Sequence, residues 1–99
     1  MIQALKSSGL VTESAVISAV PARLMGLTVL TDGSNSATVI LYDSASSAEG
    51  TVLDKVILAA ADRTGRINYS KDGVQAANGI YASLTNANVV VHFVPGMKA

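Results

Sequence analysis

The chain has 99 residues, seven basic side chains against seven acidic ones, a single histidine and no cysteine. That length is one domain with room for a two-layer core, and it leaves no space for a catalytic domain joined to a separate binding domain. Lys6, Arg23, Lys55, Arg63, Arg66, Lys71 and Lys98 are dispersed, so no positive footprint for nucleic acid is visible, and without thiols neither a disulfide framework nor a thiolate metal site can form.

Met1 to Leu5 is a short apolar stretch separated from the body by Ser7, Ser8 and Gly9, and because these fall where a secretion signal would carry its hydrophobic centre, Met1 to Leu10 is not read as one. It reads as an N-terminal arm or an edge strand, with the body of the domain at 11–95 and a short tail at 96–99. Val11 to Val20 is ambiguous: the Ala15/Ala19 spacing suits a helix, whereas Val16, Ile17 and Val20 suit a strand, and Pro21 ends either. Arg23 to Thr31 alternates, which predicts a strand with Met25, Leu27 and Val29 on one face and Gly26 and Thr28 on the other.

Asp32-Gly33-Ser34-Asn35-Ser36 is turn chemistry, and the chain resumes as a strand from Ala37 to Asp43, which predicts a hairpin. Ser44 to Gly50 is a small polar loop. In Thr51 to Ala61 the residues Val52, Leu53, Val56, Ile57 and Ala60 fit helical spacing, but the β-branched content and the flanking strand hairpins favour a strand. Arg66 to Ser70 alternates with Ile67 and Tyr69 inward, and Lys71-Asp72-Gly73 turns. Ile80 to Leu84 and Val89 to Val94, joined through Thr85-Asn86-Ala87-Asn88, read as an antiparallel hairpin.

Seven or eight such strands make an all-β antiparallel β-sandwich, either jelly-roll or immunoglobulin-like. Its expected core holds Met25, Leu27, Val29, Val39, Leu41, Ile67, Ile80, Leu84, Val89, Val91 and Phe93. No apolar run approaches the roughly 20 residues of a membrane helix, because Asp54 and Lys55 interrupt the longest one. Hydrophobic residues nevertheless make up 49% of the chain, which leaves apolar surface for a partner.

Candidate sites are sparse. His92 faces away from Val89, Val91 and Phe93 and has no second ligand beside it, so a structural or interface role outweighs metal binding. No Gly-x-Ser-x-Gly elbow accompanies the plentiful Ser and Asp. Asp32, Ser34 and Asn35 start like a calcium loop, but no Glu follows at the twelfth position, which leaves a turn. Asp43 beside Tyr42 is read as a loop cap, Asn68-Tyr69-Ser70 as a silent glycosylation pattern, and Asp62, Arg63 and Arg66 as solvated surface. The aromatics Tyr42, Tyr69, Tyr81 and Phe93 are read as dispersed core or interface residues rather than a sugar platform. No catalytic, cofactor-binding or metal-binding residue is assigned; the expectation is a non-enzyme without cofactors.

Several segments resemble small virion proteins of tailed bacteriophages: Pro21-Ala22-Arg23-Leu24 leading to Thr31, a strand ending in Tyr42-Asp43, the opening Gly50-Thr51-Val52, the run Gly79 to Leu84, and the valine-rich Val89 to Val94. The resemblance covers about residues 15 to 94 and implies a capsid decoration (cement) protein. On that footing the expected partners are a major capsid protein or other virion subunits, the expected assembly a homotrimer, and the expected location the virion, with no nucleic acid or membrane bound. A carbohydrate-binding or host-recognition module of a tail fibre is the alternative.

Overall fold

A computed structural model describes residues 5–69 and 73–96. The expected arm and tail therefore lie partly outside the described residues, as does most of the turn at 71–73. The described chain forms β1 (Lys6–Val11), β2 (Ala15–Ser18), β3 (Ala22–Thr31), β4 (Ala37–Tyr42) and β5 (Val52–Leu58). A 3-10 turn (Ala60–Asp62) follows, then β6 (Thr64–Asn68), β7 (Val74–Ala76), β8 (Ile80–Thr85) and β9 (Ala87–Pro95). Both segments with helical spacing are strands in their central parts. Their β-branched side chains fit the pleated surface of a sheet, and Val11, Ile17, Leu53, Val56 and Leu58 all pack against the core.

Two antiparallel sheets face each other. One runs β1-β9-β3-β6, with β7 also on β3; the other runs β2-β8-β4-β5. Pairing β1 with β9, β2 with β8, β3 with β6 and β7, and β4 with β5 is the pattern of one long antiparallel hairpin, its tip between β4 and β5, rolled up so that β3 meets β9 and β4 meets β8. This connectivity is a jelly roll, with β6 and β7 serving as one interrupted strand along β3. It decides between the two sandwich topologies left open by the sequence.

Rolling corrects two expected hairpins. The turn at Asp32–Ser36 carries the chain from β3 in one sheet to β4 in the other, and the turn at Asn86 carries it from β8 to β9 across the same gap. Asn86 has φ 54, a left-handed conformation that asparagine tolerates better than most residues, and it is the single residue between the two strands. Of the chain-adjacent strands, β4 and β5 do pair as a hairpin.

The core is Leu24, Leu27, Val29, Val89 and Val91 from one sheet against Val39, Leu41, Ile80 and Ala82 from the other, all buried. Ile67, Leu84 and Phe93 pack against it with part of their surface exposed. Met25 does not belong to it. Leu24 pairs with Phe93 and Gly26 with His92, so Met25 is the extra residue of a β-bulge. The bulge resets the alternation: Leu24 and Leu27, three apart, both face inward, and Met25 is displaced to a half-buried position beside Gly73.

Candidate functional surfaces

Most residues singled out in the sequence turn out to support the fold. Asp32 Oδ1 accepts hydrogen bonds from the Ser34 and Asn35 amides at 2.7 and 2.8 Å, and Oδ2 accepts one from Asn35 Nδ2 at 3.0 Å. These donors, the Asn35 amide first, hold the carboxyl below its ordinary pKa. Asp43 closes the loop at the rolled hairpin's tip: its amide donates to Thr51 O at 2.7 Å, and its Oδ1 accepts from the Asn78 amide at 2.7 Å.

His92 sits half-buried on the outer face of its sheet, between Ser7 and Gly26 in the ladder. Gly26 leaves the space occupied by the Asn68 and His92 side chains, since a Cβ there would lie 3.4 Å from Asn68 Oδ1 and 3.7 Å from His92 Nδ1. Among the described residues no group of three His, Cys, Asp or Glu side chains is placed to hold a metal ion. Asp62 and Arg66 are exposed, Arg63 lies against Gly33, and Ser70 of the glycosylation pattern lies outside the described residues.

The aromatics divide into two pairs, which revises their reading as dispersed. Tyr69 and Phe93 pack against the core, whereas Tyr42 and Tyr81 are direct cross-strand partners. Both tyrosines face outward, because their neighbours Leu41, Ile80 and Ala82 are fully buried. Val16 pairs with Tyr81 and Val52 with Tyr42, so a row Val16–Tyr81–Tyr42–Val52 crosses all four strands of the β2-β8-β4-β5 sheet on its open face. Val16 and Val52 are 40% and 50% exposed, and Ile57, on the same face of β5, is 66% exposed. The row leaves apolar and aromatic surface open to solvent from one edge of this sheet to the other. These residues lie up to 65 positions apart in the sequence, and only the ladder registers align them.

A second feature is a cleft of about 410 Å³ at the end of the sandwich where β1 passes to β2 and β8 to β9. Thr12, Glu13, Ser14, Asp32, Asn86 and Asn88 supply its polar wall. Leu30, Leu84 and Ala87 supply apolar surface. The Ser14 hydroxyl is fixed by accepting the Leu84 amide hydrogen at 2.9 Å.

Comparison with protein-family models, with curated proteins and with solved structures found no match to this chain. Among the described residues no helix is long and apolar enough to cross a membrane.

Proposed function

We propose that this protein is a non-enzymatic structural subunit of a tailed-bacteriophage virion, a head decoration (cement) protein that docks on the capsid shell through the open face of the β2-β8-β4-β5 sheet. The observation that carries this reading is the Val16–Tyr81–Tyr42–Val52 row. A cement protein needs a broad surface that buries apolar and aromatic contacts across a seam between shell subunits, and tyrosine combines large contact area with a polar tip that tolerates a wet rim. The segments that resemble phage virion proteins support the same role, and the jelly roll is an architecture found in viral capsid domains, which counts as analogy of fold. Balanced charge suits attachment by apolar contact and backbone pairing without competing adhesion to DNA.

The partner in this reading is the major capsid protein, and copies of the chain associate as a homotrimer around a seam of matching symmetry. Binding to the closed shell in preference to its open state raises shell stability by mass action. The test compares particles purified with and without the protein: those lacking it are expected to release their genomes at lower temperature. Equal heat resistance, or localisation of the chain to the tail tip, overturns the reading.

A further inference from the structure

We propose that the cleft between the β1–β2 and β8–β9 connections binds a neutral, hydroxyl-rich ligand, a saccharide or a related polyol. The proposal goes beyond shell attachment, because the cleft lies at one end of the sandwich, built from Thr12–Ser14, the end of β3, Leu84 near the end of β8 and the Asn86 turn, whereas the docking row crosses the outer face of the β2-β8-β4-β5 sheet.

The lining selects the chemistry. Glu13 and Asp32 bring carboxylates, and no lysine, arginine or histidine lines the cleft, so phosphorylated, sulfated or sialylated ligands meet uncompensated negative charge. A bare cation is no better served. The Asp32 carboxylate already accepts three hydrogen bonds from its own turn, and no group of three metal-ligating side chains occurs among the described residues. What remains well matched is a molecule with many hydroxyls and no charge. Hydroxyls can donate to Glu13 and to the remaining lone pair of Asp32, while the Asn86 and Asn88 amides can both donate and accept. Leu30, Leu84 and Ala87 offer apolar area for the C–H faces of a sugar ring. A volume of about 410 Å³ lies within the range of small-molecule sites.

The wall is also preorganised. Asp32 is fixed by its turn and Ser14 by the Leu84 amide, so a ligand need not order them on binding. The test titrates the full chain, labelled with nitrogen-15, with glucose, galactose, mannose and N-acetylglucosamine. Calcium chloride, sialic acid and inorganic phosphate are titrated in parallel. At least one neutral sugar is expected to shift the backbone amides of Glu13, Asn86 and Asn88. Glu13→Gln and Asn86→Gly should each weaken that binding about tenfold, as expected for losing one good polar contact. Asn86→Gly keeps a residue at ease with positive φ, so its spectrum should otherwise match the parent. No shift with any sugar, shifts only with calcium or an anion, or sugar-induced shifts confined to Tyr42 and Tyr81 would each overturn the proposal.

Discussion

The Tyr69 hydroxyl donates a hydrogen bond to Asp54 Oδ2, joining the edge of one sheet to the edge of the other. Tyr69 directly follows β6, which flanks β3, and Asp54 lies in β5, the outermost strand opposite. At the far end of β3, Thr31 Oγ1 donates to Ala60 O at 3.1 Å, tying that strand to the 3-10 turn that carries the chain from β5 to β6. Burial, then the hydrogen bond to the Asp54 carboxylate and its charge, raise the Tyr69 pKa well above the ordinary 10.0.

That shift gives a pH dependence with a definite sign. Because the folded state holds the phenolic proton more tightly than the unfolded chain, the contribution is complete below the ordinary tyrosine pKa and is lost as pH rises beyond it. Stability should therefore fall in the alkaline range, and Tyr69→Phe should flatten this fall. At neutral pH the same substitution should cost about 1 kcal/mol, a modest figure because the site is half-open to solvent. Urea unfolding of both proteins across the alkaline range measures both effects.

Gly79 is the backbone position least able to carry a side chain. Its φ is 149, and a Cβ would collide with the Ser18 carbonyl oxygen while lying 3.0 Å from both Ala45 Cα and Ser44 O. Those neighbours are backbone and cannot rotate away. Gly79→Ala should destabilise the domain by about 3 kcal/mol, whereas Gly9→Ala, where no atom lies within 4 Å, should cost only the strain of its positive φ. Thermal unfolding of the two variants provides the comparison.

The bulge makes a sharp statement about two neighbouring side chains. Leu24→Ala should cost about 2 to 5 kcal/mol, since Leu24 is fully buried, and Met25→Ala distinctly less. Strict alternation would give the opposite order. Chemical denaturation midpoints of the pair separate these outcomes.

Most elements were legible because β3, β4, β8 and β9 carry alternation and the turns at 32–36, 44–50 and 85–88 carry Gly, Asn or Asp, whereas β2, between Thr12-Glu13-Ser14 and Ala19-Val20-Pro21, has no such punctuation and read equally as helix. Most of the expected core, Leu27 through Val91, followed from that local rule. Met25 failed because a bulge changes the period by one residue, and Gly26 gives no sign of it beyond being a glycine within a strand. The hairpins at 32–36 and at Asn86 failed for a different reason. A turn sequence reports that the chain reverses, not whether the next strand pairs beside the last or crosses to the opposite layer. Val74–Ala76 was missed because three residues are too few to show a period. The two surfaces were illegible for a common reason: the Tyr42–Tyr81 contact depends on the β4–β8 register, and the cleft gathers residues from three distant connections.

Apolar attachment predicts weak salt dependence. Because the exposed row carries no charge and basic residues are dispersed, raising ionic strength from low to molar salt should leave occupancy on the shell nearly unchanged, unlike a contact dominated by phosphates or ion pairs. Sedimentation of particles at increasing salt, with quantitation of the bound chain, checks this.

In the proposed function, the open face bearing Tyr42 and Tyr81 holds the protein to a capsid shell. The most direct measurement adds purified protein back to shells depleted of it and compares the parent with the Tyr42→Thr/Tyr81→Thr double variant. Threonine keeps the strand character of both positions, and an unchanged far-ultraviolet spectrum would verify the fold. The parent should bind to saturation, and the double variant should bind at least about tenfold more weakly, as expected for removing two aromatic anchors at the centre of an interface. Equal binding by the two proteins, or failure of the parent to bind the shell, would contradict the account.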